Sequence, residues 1–236
     1  YELSVAGTRS IKDKADIIFP ILHGPYGEDG TMQGLLEISD IPYVGAGVMG
    51  SALAMDKAYS KLIFEKENLP ICDYKIIYRK DIKKNIDDVI KSIEEKFNYP
   101  LFVKPANLGS SVGISKAHDN KELIEALMEA CKYDRKIVIE EYVPCREIEV
   151  GVIGNDEPMA SAVGEIIASK EFYDYEAKYL DGGKSEIRIP ADITESQKNR
   201  IRNMAINAYK ALDCCGFSRV DFFINKETGE ILRSEE

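Results

Sequence analysis

The chain of 236 residues combines 44% hydrophobic with 31% charged side chains, the balance of an ordinary soluble globular protein with room for two or three subdomains. Lys+Arg 31 against Asp+Glu 41 leaves a formal net charge of −10 without a basic cluster, which argues against nucleic acid or an anionic membrane as partner. Bound phosphate would have to be met by local lysines, backbone amides and metal ions; with no apolar run near ~20 residues and no signal-peptide pattern, a cytoplasmic location is expected.

Tyr1 to Lys14 carries no strong pattern. Ala15-Asp-Ile-Ile-Phe-Pro-Ile-Leu22 predicts a buried strand that delivers His23-Gly-Pro-Tyr-Gly-Glu-Asp-Gly30 to its C-terminal end, where open α/β sheets place ligand loops. A lone histidine is usually structural. A histidine beside Glu28 and Asp29 in a tight, glycine-rich loop reads instead as functional. Thr31 to Ser39 suits a short helix and Ile41–Val44 a short strand. Gly45-Ala-Gly-Val-Met-Gly50 then matches G-x-G-x-x-G, so a dinucleotide fingerprint and a glycine-rich hinge both stand as readings. The hinge is preferred, because the preceding strand is short, contains Pro42, and no second strand follows at the right place.

Ser51–Glu67 predicts a helix carrying Met55-Asp-Lys57 near its start, followed by a strand over Cys72–Tyr78. In Asn85–Phe97 the apolar residues Ile86, Val89, Ile90, Ile93 and Phe97 fall at helical spacing. Tyr99–Val103 is a short apolar strand that sets Lys104 at the mouth of a turn, stiffened by Pro105. Gly109-Ser-Ser-Val-Gly113 offers backbone N–H groups with little side-chain obstruction. It is either a phosphate-covering loop or a plain Gly/Ser turn between strands, and it is not a P-loop, since no Gly-Lys-Ser/Thr closes it. Asp119 caps a helix whose stripe is Leu123, Ile124, Leu127, Met128 and Cys131, with Glu122 three residues on. Residues 72–134 thus form a small α+β unit with the loop on one edge.

Ile137–Val143 is a strand whose apolar start ends in the adjacent acids Glu140 and Glu141. Arg146–Ile153 alternates charged and apolar residues, so Glu147 and Glu149 share one face, which is ordinarily a solvated one. Met159–Ala168 is its hairpin partner. Phe172-Tyr-Asp-Tyr-Glu-Ala-Lys-Tyr179 has no clean period; it is a linker or a loop that closes over a ligand. Thr194-x-x-Gln197 caps the last helix. Gly216–Ile224 is a strand with Arg219 and Asp221 on one face, and the turn Asn225–Gly229 leads to a second strand expected to bring Glu235 across from Asp221. Facing carboxylates beside an arginine suit Mg²⁺ held through oxygen; without a cation such a pair would be destabilising. Cys72, Cys131, Cys145, Cys214 and Cys215 are read as reduced structural thiols, and His23 and His118 alone exclude a histidine-rich metal site.

With these stretches assembled, the sequence resembles D-alanine–D-alanine ligases of the ATP-grasp superfamily over nearly its whole length. The resemblance rests on His23–Gly30, Tyr43–Lys57, Val103–Gly113, Glu140–Val143, Phe172–Tyr179 and Arg219–Asp221, in family order. It implies an α/β and α+β architecture, the ATP-grasp fold, in which a nucleotide lies between two α+β lobes. Residues 1–45 would be the remnant of an N-terminal α/β substrate domain, 46–139 the central lobe and 140–236 the C-terminal lobe.

The activity implied is ATP-dependent joining of two D-alanines through an acyl phosphate, for peptidoglycan precursor synthesis, with ATP as substrate and Mg²⁺ (or Mn²⁺) as cofactor. A non-catalytic ATP-binding module, or a ligase with another acceptor, stands as the alternative. By the resemblance Lys57 and Lys104 match ATP-phosphate lysines, Ser111 belongs to the loop over the phosphates, Glu140, Glu141 and Val143 lie where adenine is held, and Glu147 where ribose is held. Lys178 sits on the closing loop. Ser110 and Tyr179 match a hydrogen-bonded pair at the D-alanine site, Arg219 the cation at the developing oxyanion, His23 and Glu28 substrate contacts, and Asp221 and Glu235 the metal ligands. A tyrosine at 179 goes with an amine acceptor rather than D-lactate. Homodimers are common in the family. The family's first strand and the glutamate that grips the first D-alanine would precede Tyr1, and its Glu-x-Asn ligand pair would run past Glu236. This chain is therefore expected to bind ATP weakly and turn over slowly or not at all.

Overall fold

The computed structural model describes residues 15–109, 112–167 and 186–234. Two antiparallel sheets with helices packed against them divide the described chain. The first contains β1 (Tyr74–Tyr78), β2 (Leu101–Pro105), β3 (Ser115–Ala117) and β4 (Lys136–Glu141) in the order β1-β4-β2-β3. Alternate residues of β2 and β4, Leu101, Val103, Ile137 and Ile139, point one way, into a core shared with Ile90 and Ile93 of one helix and Leu123 and Leu127 of another. Those helices are α5 (Ile86–Glu94), capped by the Asn85 side chain, and α6 (Asn120–Tyr133), capped by Asp119. A short helix that the sequence pattern did not reveal, α4 (Arg79–Lys84), joins β1 to α5.

The second sheet has the order β10-β9-β5-β7-β8, with β6 also paired to β5. Its strands are β5 (Cys145–Ile153), β6 (Met159–Ala160), β7 (Gly164–Ile167), β8 (Glu186–Arg188), β9 (Phe217–Asn225) and β10 (Ile231–Arg233). Ile148, Val150 and Val152 of β5 and Val220, Phe222 and Ile224 of β9 pack with Ile201, Ala205 and Ala208 of α7 (Glu195–Ala211), which begins in the expected Thr194/Gln197 capping box. Residues 142–144 alone connect β4 of the first sheet to β5 of the second.

The expected single helix over Ser51–Glu67 is two helices. α2 (Val48–Met55) stops where Asp56 turns to extended backbone, and the Asp56 carboxylate accepts from Ala58 N and Tyr59 N to start α3 (Lys57–Lys66). An aspartate favours a cap over a helix interior, and here it wins. α3 lies between the two sheets: Ala58 packs against Ala106 and Val138 of the first lobe, and Phe64 joins the core of the second.

The expected buried strand at Ala15–Leu22 is not formed. One parallel bridge joins Ile18 to Tyr43, and Ile17, Phe19 and Ile21 are exposed. A strand is buried on both faces only when flanked by neighbours, and among the described residues this segment has the one bridge. α1 (Thr31–Ile38) forms as expected. The glycine-rich stretch at 45–50 packs against the turn before β9. A Cβ on Gly50 would lie 2.9 Å from Asp213 O, and one on Gly216 only 2.7 Å from Gly45 N, so these glycines serve close backbone approach. All five cysteines are free thiols, and among the described residues no helix is long and apolar enough to cross a membrane.

Candidate functional site

The face of the first sheet turned away from α5 and α6 is polar yet buried. Lys104 on β2 and Glu140 on β4 lie on this face as diagonal neighbours, since Lys104 pairs with Val138 and Phe102 with Glu140. Lys104 Nζ meets Glu140 Oε2 at 2.8 Å, and Lys61 Nζ, from α3 above, meets Glu140 Oε1 at 3.3 Å. All three side chains are essentially inaccessible to solvent. Burial alone would raise the Glu140 pKa, but the charges of Lys104 and then Lys61 outweigh it and hold the carboxyl well below its usual range.

Lys57 stands one turn before Lys61 on the same buried stripe of α3. Its N–H donates to Ala106 O (3.0 Å) and its Nζ to Leu108 O, so the start of α3 grips the segment leaving β2. A second set, built on the buried pair Lys136 and Asp56, holds that segment from the side. Lys136 Nζ reaches Asp56 Oδ2 at 2.5 Å, Asn107 Nδ2 donates to Asp56 Oδ2 (3.1 Å) and Asp134 Oδ2 (2.9 Å), and Asn107 N donates to Asp134 Oδ2 (2.9 Å). The stem of the glycine-serine loop is thus fixed before the loop begins. At the far side of the loop, Gly113 has φ +73°, and a Cβ there would fall 2.8 Å from Tyr133 Cδ2 and 2.9 Å from Pro105 Cγ. Gly113→Ala is therefore expected to cost about 1–3 kcal/mol, read as a lower urea midpoint at unchanged m-value. An unshifted midpoint would show that the turn accommodates the side chain.

The second sheet offers an acidic face opposite its core. Register sets Glu149 against Asp221, Gly151 against Arg219 and Glu147 against Phe223, so Glu147, Glu149, Arg219 and Asp221 project from one side. The Arg219 fork binds Asp221 through two hydrogen bonds, Nε to Oδ1 at 2.8 Å and Nη2 to Oδ2 at 2.7 Å, and Nε lies 3.4 Å from Glu149 Oε1. Burial opposes the guanidinium charge, but Asp221, Glu149 and Glu28 together hold its pKa above the ordinary value. The alternation that suggested a solvated face for Glu147 and Glu149 produces a half-buried one.

Hydrogen bonding within the hairpin ends differently from expectation. Arg233 pairs with Phe222 and Ser234 N donates to Asp221 O at 2.9 Å, so Ser234, not Glu235, stands directly across from Asp221. Among the described residues no three His, Cys, Asp or Glu side chains converge as a metal cage. Asp221, with Glu149 as cross-strand neighbour, supplies hard oxygen donors only. That donor set fits Mg²⁺ delivered with phosphate oxygens, which characteristically takes one or two carboxylates from the protein.

The loop at 23–30 closes the arrangement. Gly24 N donates to Glu28 Oε2 (2.5 Å), Gln33 Nε2 donates to Gly27 O (3.0 Å), and Gly24 Cα lies 3.7 Å from where a Gly109 Cβ would stand. Glu28 is thereby near both the loop stem at Gly109 and, electrostatically, Arg219. His23 is exposed. Asp29, expected beside it as a functional acid, caps the local turn and α1 through Tyr26 N and Thr31 N, each 2.9 Å away. Lys104, Glu140 and Lys61 thus form one linked cluster, Lys57 grips Leu108 at the loop stem, and Arg219, Asp221 and Glu149 form a second cluster.

Of the other expected site residues, Glu141 uses its carboxylate to accept from Asp73 N (2.8 Å), Val143 lies in the connection between sheets, and Glu147 sits on the acidic face. Ser110, Ser111, Lys178, Tyr179 and Glu235 lie outside the described residues. Lys61 and Glu149 were missed as site residues. The signal for Lys61 was present: Lys57, Lys61 and Phe64 share the buried stripe of α3 at spacings of four and three.

Comparison with known proteins adds lineage to this geometry. Residues 2–46 match the family model described as D-ala D-ala ligase N-terminus and residues 63–235 the one described as D-ala D-ala ligase C-terminus. The chain is 55% identical over 233 residues to a D-alanine–D-alanine ligase of Acetivibrio thermocellus, covering 99% of this chain and 62% of that protein. Among solved structures it resembles the VanG D-Ala:D-Ser ligase from Enterococcus faecalis, with TM-score 0.81 and 39% identity over 93% of this chain and 62% of that one. It also resembles the D-alanine–D-alanine ligase from Coxiella burnetii, with TM-score 0.77 and 34% identity over 93% of this chain and 57% of that one. The chain thus spans about three fifths of the length of the relatives it matches.

Proposed function

This chain belongs to the D-alanine–D-alanine ligase family and has its ATP-grasp fold, and from that premise we propose that it serves ATP-dependent ligation of two D-alanines for peptidoglycan precursor synthesis. The observation that supports the reading is the buried Lys104–Glu140–Lys61 cluster of the first sheet together with the Arg219–Asp221 pair of the second, with α3 packing into the cores of both.

In the first step a carboxylate oxygen of one D-alanine attacks the γ-phosphorus of ATP. The bond to the β–γ bridging oxygen breaks, ADP leaves, and D-alanyl phosphate forms. In the second, the amine of another D-alanine attacks the acyl carbon. The carbon–phosphate oxygen bond breaks, inorganic phosphate leaves, and the nitrogen gives up a proton. Such chemistry asks for positioning and charge neutralisation more than for covalent help.

Lys57 and Lys104 answer that need on the phosphates, with Ser111 and Lys178 closing over them. Glu140, Glu141 and Val143 hold the adenine edge and Glu147 the ribose. Arg219 neutralises the oxyanion as the amine attacks. His23 and Glu28 orient substrate, and Ser110 and Tyr179 complete the D-alanine site. Asp221 and Glu235 would hold Mg²⁺, which supplies charge neutralisation on the phosphates when bound. Cytoplasmic location and a homodimer are part of the same proposal.

The test is release of phosphate from ATP by protein carrying these residues, with and without D-alanine, alongside mass detection of the dipeptide. D-alanine-dependent release with D-alanyl-D-alanine as product is expected. Release independent of D-alanine would overturn the ligase reading in favour of a nucleotide-binding module. The likeness to a D-Ala:D-Ser ligase keeps D-serine as a second acceptor, so D-serine belongs in the same assay as competitor. Mixed dipeptide in excess of D-alanyl-D-alanine at equal concentrations would reassign the acceptor.

A further inference from the structure

We infer that Asp56 is a positioning residue for nucleotide phosphate: through Asn107 it locks the start of α3, which carries Lys57, to the segment leaving β2, which carries Lys104. The inference rests on the nucleotide reading above.

Asp56 is buried, and each of its oxygens has its own partners. Oδ1 accepts from Ala58 N at 3.1 Å and Tyr59 N at 3.2 Å, which caps α3. Oδ2 faces away from the cap and accepts from Asn107 Nδ2 at 3.1 Å and Lys136 Nζ at 2.5 Å. An antiparallel bridge pairs Asp56 with Asn107. On either side of Asn107 the chain holds Lys57, whose N–H donates to Ala106 O at 3.0 Å and whose Nζ donates to Leu108 O. Asn107 is anchored in turn at the end of α6, where Asp134 Oδ2 accepts from its backbone N and from its Nδ2, each at 2.9 Å.

Capping α3 needs one oxygen, and serine or asparagine would serve about as well. Only a carboxylate can cap with one oxygen while the other accepts from Asn107 and neutralises Lys136; an amide has a single oxygen to give to one side or the other. The second oxygen is therefore the part of Asp56 that the helix does not require. Its use lies in the two lysines. Lys57 and Lys104 stand on separate elements, yet both are proposed to meet one triphosphate, and neutralisation of phosphate charge depends on where the ammonium groups stand. Residues 104–108 are one continuous run out of β2, so joining Asn107 to Asp56 sets the spacing between the two lysines.

The test uses three variants. Asp56→Asn keeps the cap and the side-chain volume but turns an amide N–H toward Asn107 and Lys136. Because Lys136 is buried and loses its counter-charge, the same change is also made together with Lys136→Met. Asn107→Ala cuts the tie from its exposed side and leaves the Asp56–Lys136 pair whole. Binding of ADP and of adenosine is measured by titration calorimetry, with folding checked by thermal melting. The expected result is about tenfold weaker ADP binding in Asp56→Asn, with or without Lys136→Met, and adenosine binding changed by less than about threefold. Asn107→Ala should weaken ADP binding in the same selective way. Lys136→Met should return part of the melting temperature lost in Asp56→Asn without returning ADP affinity, since the amide still faces Asn107. In turnover KM for ATP should rise more than kcat falls. In a chain already carrying Lys57→Met, adding Asp56→Asn should weaken ADP binding by less than about twofold, because the residue acts through Lys57.

Equal losses for ADP and adenosine, no loss for either, recovery of ADP affinity together with stability, or full additivity with Lys57→Met would each overturn the inference. Failure of all three variants to fold would also overturn it, assigning Asp56 to stability. An unaltered protein that binds neither ADP nor ATP would overturn the nucleotide reading and this inference with it, whereas ADP binding that the variants leave unchanged would overturn the inference alone.

Discussion

Replacing Glu140 with leucine is expected to destabilise the fold by about 3–5 kcal/mol, the cost of stripping the counter-charge from buried ammonium groups. Lys104 and Lys61 approach the same carboxylate from a strand and a helix, and both are removed from solvent. Without it, two like charges face one another in a region of low dielectric. Urea denaturation should show the midpoint fall at constant m-value. Adding Lys61→Met to the leucine variant should recover part of the loss, since one of the two stranded charges is then gone, and the cycle of single and double variants measures the coupling. A Glu140→Leu protein as stable as the parent would mean that the three groups are not coupled in solution.

The same carboxyl sets a pH dependence of definite sign. Its folded pKa is lowered to about 2 from an ordinary 4.5 by Lys104 and Lys61, which outweigh the opposing effect of burial. A depressed carboxyl contributes stability that is complete above the unfolded value and disappears as pH falls through the folded one. The contribution of Glu140 should therefore be intact above about 4.5 and erode between there and about 2. In the leucine variant that component of the acid limb should be missing.

The largest expected effect on chemistry is at Arg219. Arg219→Met should lower kcat for D-alanine-dependent phosphate release by about 10²–10³-fold, the usual loss when one donor to a developing oxyanion is removed. The guanidinium is held by two bonds to Asp221 and by Glu149 3.4 Å away, so its position in the resting site is fixed by the sheet rather than by substrate. Lysine would keep the charge without the planar fork, and Arg219→Lys should recover only part of the rate. Because Asp221 is buried and loses its partner, a modest fall in stability is also expected. The rate must therefore be compared at a temperature where both variants are fully folded. A kcat within threefold of the parent under those conditions would remove Arg219 from the chemistry.

Much of the fold was legible because its signals are local. The helical stripe of α5, the capping residues Asp119 and Thr194, and the alternation along β5 and β9 each depend on a few neighbouring residues, and each gave the right element. Motifs such as Val103–Gly113 and Arg219–Asp221 were likewise short enough to recognise, and they carried the family. Asp56 shows where local reading stops. Its neighbours predicted one uninterrupted helix, but the pull of Asn107 and Lys136, which are 51 and 80 residues away, holds it as a cap.

By itself, then, the sequence determined the type and order of most elements from Tyr74 onward, the family, and the identity of most side chains proposed to act. Only the tertiary structure decided which of these meet. It bound the acid of Asp29 to Tyr26 N and Thr31 N in a local turn and set Ser234 opposite Asp221. It also gave Ala15–Leu22 a single bridge among the described residues and set Lys61 of α3 against Glu140. The reason is physical: periodicity fixes the direction a side chain leaves its own backbone, whereas its partner is fixed by packing between elements far apart in the chain.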